Sequence, residues 1–137
     1  MSNFQMEHIR PDGLFKSPVY SQAITVRGNS KTIYIGGQDS VNAKGEIVGK
    51  DDLAAQTRQI IDNIGVILAA EKASFKDLVK LNIYMVQGVD PRVGLRAFQE
   101  SVGALENPPL VTGLFVAGLA RPEFLIEIDG IAVVEDK

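Results

Sequence analysis

Residues 124–134 constrain the fold most, because their side chains alternate in character with a period of two. This period predicts a β-strand that presents one face to a hydrophobic core. The core face consists of Phe124, Ile126, Ile128, Ala132 and Val134. The opposite face carries two carboxylates, Glu127 and Asp129, which a strand would hold about 7 Å apart.

The rest of the chain alternates between strand patterns and helix patterns. Apolar stripes predict helices over residues 53–70, after an N-cap at Asp51 or Asp52, and over residues 91–102. β-Prone runs predict further strands over residues 20–27, 31–36, 46–48, 78–86 and 110–119. The order βββαβαββ predicts a single α+β domain over residues 1–137, with one sheet and both helices packed on one of its faces. We expect its core to span about residues 15–134, after an extended lead-in over residues 1–14.

The connections and buried faces of these elements also follow from the pattern. Residues 28–30 read Gly-Asn-Ser and predict a hairpin-type connection between the first two strands. In strand 78–86 the alternation predicts a core face of Val79, Leu81, Ile83 and Met85. In helix 91–102 the apolar stripe is Leu95, Phe98 and Val102.

The sheet has more apolar surface than two helices can cover. Residues 110–119 are apolar on both faces of their strand, whereas the helices cover one face only. An apolar sheet face is buried most simply against other copies of the same chain. We therefore expect a homo-oligomer.

Composition narrows the classes of function. The chain has no cysteine, which excludes a thiol nucleophile, a disulfide framework and a cysteine-based metal site. Its 14 basic residues are dispersed and its net charge is −3, so we expect no nucleic-acid partner. His8 is the single histidine and falls in a segment that we expect to be mobile, so neither a Ser-His-Asp triad nor a metal site is predicted.

Other motifs are missing as well. No glycine-rich nucleotide-binding motif occurs, so no cofactor is expected. The apolar runs are too short to cross a bilayer, so no membrane partner is expected. The first residues lack the basic start and apolar stretch of a signal peptide, which makes the cytoplasm the expected location.

The two carboxylates of the last strand admit two interpretations. A carboxylate on a face that meets a partner subunit either has a polar partner or takes up a proton. In the first interpretation both are structural, and Lys80 or Asn82 of the neighbouring strand is the partner. In the second, one of them is an acid/base or water-positioning group in a cleft between subunits. Asp129 is nearer the exit of the strand, and the structural role suits it better than Glu127.

Four fragments of the chain resemble, in order, those of a known family. Residues 14–23 read LFKSPVYSQA and resemble its Pro-Tyr-Ser-Gln-Ala opening, and residues 33–38 read IYIGGQ and resemble its strand ending in Ser-Gly-Gln. Residues 56–64 match its first helix, and residues 126–132 read IEIDGIA and match its closing Val-Glu-Ile-Glu-x-Ile-Ala. On these fragments the chain is identified as a member of the YjgF/RidA family, also called endoribonuclease L-PSP-like.

The resemblance implies a chorismate-mutase-like fold with a mixed sheet. It also implies a homotrimer with a barrel-like core and a small-molecule ligand in each cleft between subunits. Members of the archetypal branch hydrolyse reactive enamines and imines, such as 2-aminoacrylate, to ketoacids and ammonia. The resemblance makes Glu127 the catalytic group that positions water, and makes Tyr20 and the Gly37 backbone substrate-binding groups. It adds Phe15 and Phe98 as further substrate-binding positions.

The substrate-binding arginine of the archetypal branch is missing. The family motif reads Pro-Ala-Arg-Ser-Thr/Cys, whereas residues 108–113 read PPLVTG. Alignment on the end of this strand puts Val111 at the arginine position, and alignment on its start puts Leu110 there. Arg121 follows the next bend, and neither alignment brings it to the cleft. The chain therefore resembles an arginine-lacking branch, with a substrate that differs from 2-aminoacrylate.

Three functions remain open on the sequence. The first is hydrolysis of a small enamine, imine or related compound, with Val111 among the residues that line the substrate site. The second is a non-catalytic trimeric module that binds a ligand or another protein. The third, an endoribonuclease or translation inhibitor, is the weakest because the positive charge is dispersed and the chain is acidic.

Overall fold

A computed structural model of the protein describes residues 3–137, so the start of the predicted lead-in lies outside the described residues. The strands are β1 (Gln5–Ile9), β2 (Ala23–Arg27), β3 (Ser30–Gln38), β4 (Leu78–Val86), β5 (Leu110–Val116) and β6 (Ile126–Glu135). The helices are α1 (Leu53–Ala70) and α2 (Pro91–Val102), and a 3₁₀ turn (Phe75–Asp77) precedes β4. Within residues 3–137, neither helix combines the length and apolar character of a membrane span.

A mixed four-stranded sheet forms the centre of the fold. Its strand order is β3-β6-β4-β5, so β5 is an outermost strand. β4 pairs with β5 in parallel, while β6 pairs with β3 and with β4 in antiparallel fashion. The predicted α+β class, with two helices on one face of a mixed sheet, is confirmed.

The N-terminal third differs from the prediction. β1 lies within the expected lead-in and pairs with β2 in a separate two-stranded sheet. The predicted hairpin between β2 and β3 is wrong, because β2 takes β1 as its partner while β3 pairs with β6. The strand expected over residues 46–48 is reduced to an isolated bridge between Val41 and Ile47. The order βββαβαββ is therefore correct. Two of its first three strands, β2 and β3, are the ones predicted, whereas β1 stands in place of the strand expected over residues 46–48.

The core lies between α1 and the sheet. Asp52 caps α1 by accepting a hydrogen bond from the Ala55 amide at 3.0 Å. The helix then buries one stripe, which consists of Leu53, Gln56, Thr57, Ile60, Ile61, Ile64 and Leu68. A register shift between Leu78 and Lys80 makes the side chain of Leu78 point into this core. The alternation predicts Val79 at that position.

α2 packs against α1 through small residues. Its buried positions are Gly94 and Ala97, whereas the predicted stripe was Leu95, Phe98 and Val102. A Cβ added to Gly94 would lie 3.6 Å from the Thr57 hydroxyl oxygen, which is ordinary contact distance. The small residues thus bring α2 close to α1, and the larger Leu95 and Phe98 are left to line a space beside the contact.

Gln56 links α1 to the start of β6. Its side chain is fully buried, and its amide nitrogen donates to the carbonyls of Gly49 (3.1 Å) and Glu123 (2.9 Å). Its amide oxygen accepts from the backbone nitrogen of Leu125 at 2.9 Å. The two hydrogen bonds to Glu123 and Leu125 hold α1 against the segment that leads into β6, the strand that carries Glu127.

We expect Gln56→Leu to destabilise the protein by about 2 kcal/mol. The Glu123 carbonyl and the Leu125 amide would each lose their partner at about 1 kcal/mol or more. The Gly49 carbonyl would keep its hydrogen bond from the Asp52 amide. A matched control is Gln59→Leu, also on α1, whose side chain donates one hydrogen bond to Asn63 at 2.9 Å. The control should lose less than about 1 kcal/mol. Denaturant unfolding at fixed protein concentration measures both, and equal losses would contradict the assignment.

Candidate functional site

A cavity of about 640 Å³ lies between α2 and the helix-facing side of β4 and β5. Its walls are mostly apolar and include Met85, Leu95, Phe98 and Val111. Gly113 leaves space at β5, since a Cβ added there would meet nothing within 4 Å. A ligand in this cavity would therefore be held chiefly by apolar contact.

Two polar side chains of the cavity wall, those of Thr57 and Arg92, are already engaged. The Thr57 hydroxyl donates to the carbonyl of Leu53 at 2.8 Å. The Arg92 guanidinium donates to both carboxylate oxygens of Asp90, at 3.1 Å each. The phenol of Tyr20, on a half-buried side chain, is a further polar group of the wall. A substrate carboxylate would thus compete with Asp90 for Arg92, which makes this cavity a poor anion site.

The N-terminal sheet supports one wall of the cavity. His8 Nδ1 lies 2.9 Å from Ser21 Oγ and 3.1 Å from the carbonyl oxygen of Pro108, and the Ser21 hydroxyl donates to the same oxygen at 2.6 Å. The Ser21 amide donates to the carbonyl of Pro109 at 3.0 Å. Burial lowers the pKa of His8. The expected mobility of His8 is wrong, because β1 is paired and its imidazole is bound.

Glu127 lies on the other side of the sheet, against Gly37. A Cβ added to Gly37 would lie 2.5 Å from Glu127 Oε2 and 3.0 Å from its Cδ. Position 37 must therefore lack a side chain for the carboxyl group to stay where it is. The neighbouring Gly36 has no such constraint, because a Cβ there would meet nothing within 4 Å.

A second carboxyl group, that of Asp39, lies beside Glu127, because β3 and β6 are antiparallel and Gln38 pairs with Ile128. Burial, and then the proximity and the charge of Glu127, raise the pKa of Asp39 to about 7. Asp39 Oδ1 is buried and has no hydrogen-bond partner among residues 3–137. Sequence reasoning missed Asp39. The only signal for it was an acidic residue directly after the strand that ends in Gly36, Gly37 and Gln38.

Asp129 has the neutral partners that a structural carboxylate requires. Its oxygens accept from the Asn82 amide nitrogen at 2.7 Å and from the Tyr84 hydroxyl at 3.0 Å. The predicted partner Asn82 is confirmed, whereas Lys80 donates instead to Thr112 on β5. The hydrogen bond to Asp129 raises the pKa of Tyr84.

The structure divides the predicted site residues into two groups. Tyr20, Phe98 and Val111 line the cavity, while Gly37 and Glu127 meet on the opposite side of the sheet. Within one chain the two groups do not come together.

Two residues lie apart from both groups. Phe15 is 71% exposed and does not line the cavity. Arg121 is also outside the cavity, and its guanidinium lies 3.6 Å from the Glu123 carboxylate. In the part of the chain that the structure describes, no three His, Asp or Glu side chains are grouped closely enough to bind a metal ion.

A family model described as Endoribonuclease L-PSP matches residues 15–134. The chain belongs to this family. The matched segment runs from Phe15 to Val134 and so contains both residue groups of the candidate site. One relative of the chain is a RutC family protein of Pyrococcus horikoshii. It is 38% identical over 117 residues, which cover 85% of this chain and 87% of the relative.

Solved structures of the family have the same fold. A protein of the conserved Rid family from Yersinia pestis, YyfB, described as of unknown function, is 33% identical with a TM-score of 0.80. The match covers 94% of this chain and 98% of that one. RidA from an Antarctic Psychrobacter is 26% identical with a TM-score of 0.67, and the match covers 79% of this chain and 88% of that one. The YjgF/RidA membership expected from the four sequence fragments is thereby confirmed.

Proposed function

We propose that this protein is a Rid-type hydrolase that converts a small reactive imine or enamine into a carbonyl compound and ammonia. An enamine first tautomerises to the imine. Water then adds to the carbon of the C=N bond, the C–N bond breaks, and nitrogen leaves as ammonia. The cytoplasm is part of this proposal as the place where the protein acts.

The observation that carries the proposal is the environment of the Glu127 carboxyl group. It lies against Gly37 and beside the carboxyl group of Asp39. It is absent from the ion pairs found within residues 3–137. A carboxyl group that no cation neutralises can accept a proton from water, which is what a water-positioning group must do.

The apolar cavity supports a substrate that lacks a carboxylate. Val111 contributes no charge to its wall, and Arg92 is already bound to Asp90. A substrate with an anionic group would lose its hydration there without gaining a strong partner. We therefore propose an uncharged imine whose apolar substituent occupies the space beside Phe98.

A homotrimer would bring the two groups of site residues together. Tyr20, Phe98 and Val111 of one subunit would face Gly37 and Glu127 of the next across a cleft. The support for this assembly is that neither group forms a complete site alone, and that Leu114 and Phe115 on β5 are about half exposed. Light scattering after gel filtration should give three times the chain mass of 14.8 kDa. A monomer at micromolar concentration would contradict the proposed cleft.

The activity can be tested with imines generated in solution. An amine oxidase supplies uncharged imines, an amino-acid oxidase supplies carboxylated ones, and semicarbazide traps whatever is not hydrolysed. We expect the protein to reduce trapping and to accelerate ammonia release with the uncharged imines. If the wild-type protein affects neither class of imine, the hydrolase proposal fails.

One alternative is favoured by a specific observation. Because the cavity wall offers few free polar groups, the protein could bind an apolar small molecule without turnover. A ligand that raises Tm in a thermal-shift screen, yet is recovered unchanged, would support this function. The ribonuclease activity in the family's name is not part of our proposal, since the basic residues do not cluster along the sequence.

A further inference from the structure

Asp39 and Glu127 form a carboxyl pair where β3 ends. The pairing of β3 with β6 shifts register between Ile35 and Gln38, and Asp39 follows this bulge directly. The Asp39 carbonyl accepts hydrogen bonds from the Val41 amide at 2.8 Å and from Asn63 of α1 at 3.3 Å. These contacts fix the main chain of Asp39. The antiparallel register that pairs Gln38 with Ile128 then brings Asp39 beside Glu127.

A hydrogen bond between the carboxyl groups of Asp39 and Glu127 would require a proton. Two ionised carboxylates have only acceptors, so neither could donate to the other. With both ionised, Asp39 Oδ1 would remain buried without a donor among the described residues. Two neighbouring carboxyl groups also repel each other when both are charged. One shared proton removes all three difficulties.

The groups around the pair do not supply a compensating positive charge. Tyr84 of β4 lies directly opposite Glu127, and its hydroxyl donates to Asp129 of β6. The α1 side chain that reaches Asp39 is the neutral amide of Asn63. Lys80, on the same face of the sheet as Tyr84, is bound to Thr112. Apart from Lys80, whose ammonium group is held at Thr112, these surroundings are neutral or acidic and therefore favour retention of the proton.

We propose that Asp39 is a positioning residue that shares one proton with Glu127, so that the pair exchanges protons with water and with the substrate nitrogen. This inference rests on the proposed hydrolase function. Neither the resemblance nor the sequence pattern assigns Asp39 a role.

The proton balance of the step is closed within the pair and the substrate. When the oxygen of water bonds to the imine carbon, the pair takes one proton from that water. The electron pair of the C=N bond moves to nitrogen, which takes one proton from the pair. In the second step the hydroxyl proton returns to nitrogen through the pair, the C–N bond breaks, and ammonia leaves. The pair ends each step with the single proton that it held at the start.

The pH dependence of stability tests the shared proton without any substrate. Asp39 binds its proton more tightly in the folded chain, because its pKa is raised from 3.8 to about 7. Its contribution to stability is therefore full below about pH 4 and lost as the pH rises toward 7. We expect Tm of Asp39→Asn to match the wild type at pH 4 and to exceed it by roughly 3 °C or more at pH 8. Asp62→Asn, at an exposed position on α1, is the matched control and should follow the wild type throughout.

Parallel curves for the wild type and Asp39→Asn would overturn the shared proton. If Asp39→Asn does not fold, the wild-type protein with carbon-13-labelled aspartate carboxyls decides by NMR. One aspartate must then titrate near pH 7, and ordinary titration of every aspartate would overturn the inference.

The use of the pair in the reaction has its own readout. Wild-type kcat/KM should fall above about pH 7 as the pair loses its proton. In Asp39→Asn that fall should disappear, and kcat should be lower by about tenfold. An unchanged pH profile with a normal kcat would overturn the positioning role. If the wild type hydrolyses no imine, the proposed function fails and the catalytic use of the pair falls with it, whereas the stability curves still decide whether the proton is shared.

Discussion

Replacing Glu127 with glutamine is expected to lower kcat/KM for imine hydrolysis by about 10²- to 10⁴-fold, the range that general acid–base groups contribute. Glutamine keeps the size and shape of the side chain but cannot take up the proton of the attacking water. The fold should be retained, because Glu127 is only half-buried and its removal opens no core cavity. Ammonia release and unfolding midpoints, measured on the same preparations, separate the chemical effect from a structural one.

Two glycines provide a matched pair for the same question. Gly37→Ala should displace the Glu127 carboxyl, because the added Cβ would lie 2.5 Å from its Oε2. Gly36→Ala adds the same methyl group where nothing lies within 4 Å, so its activity should equal that of the wild type. Equal rates for the two variants, or full activity in Glu127→Gln, would remove Glu127 from the mechanism.

Replacing Val111 with arginine is expected to change which imines the protein accepts. Val111 lines the cavity and is 37% exposed, so a guanidinium there can keep partial contact with water. A charge-assisted hydrogen bond to a substrate carboxylate is worth about 1.5–3 kcal/mol. That corresponds to a gain of roughly ten- to a hundredfold in kcat/KM for carboxylated imines. Activity on uncharged imines should fall, because the arginine fills apolar space.

The neighbouring position distinguishes the two possible alignments of this strand. Leu110 pairs with Lys80, whereas Val111 pairs with the core residue Leu81, so Leu110 and Val111 face opposite sides of the sheet. Leu110→Arg should therefore bring no gain with carboxylated imines. A gain in Leu110→Arg and none in Val111→Arg would show that the cavity is not the substrate site.

The elements whose apolar residues recur at a regular spacing over many positions could be predicted from the sequence. The stripe and N-cap of α1 fixed its limits, because both signals lie within the helix itself. The turn before β4 likewise depends on a local signal, because the Ser74 amide donates to the Asp77 carboxylate at 2.9 Å. On β6 the alternation correctly placed the core residues up to Ala132 and put the carboxylates on the opposite face. It failed near the end of the strand, where Val133 is buried and the predicted core residue Val134 is only half-buried.

What the sequence could not predict depends on contacts between distant segments. β1 is stable because it pairs with β2 and because His8 reaches Pro108, a residue 100 positions away. The hairpin prediction failed because the turn pattern at Gly28 predicts a reversal of the chain but does not determine which strands β2 and β3 pair with. Asp39 acquires its properties only when the bulge of β3 brings it to Glu127. The cavity likewise results from the close approach of two helices, which no local pattern encodes.

β5 has a consequence for how the protein behaves when its concentration falls. It is an outermost strand of the sheet, with Leu114 and Phe115 about half exposed. An uncovered strand edge with large apolar side chains is a template for irregular pairing with other chains. In the homotrimer that we propose, a subunit separated from its partners would therefore tend to precipitate before it accumulated as a soluble monomer. Only the assembled protein would then be soluble. Variants that weaken the assembly would be recognised first by their aggregation on dilution.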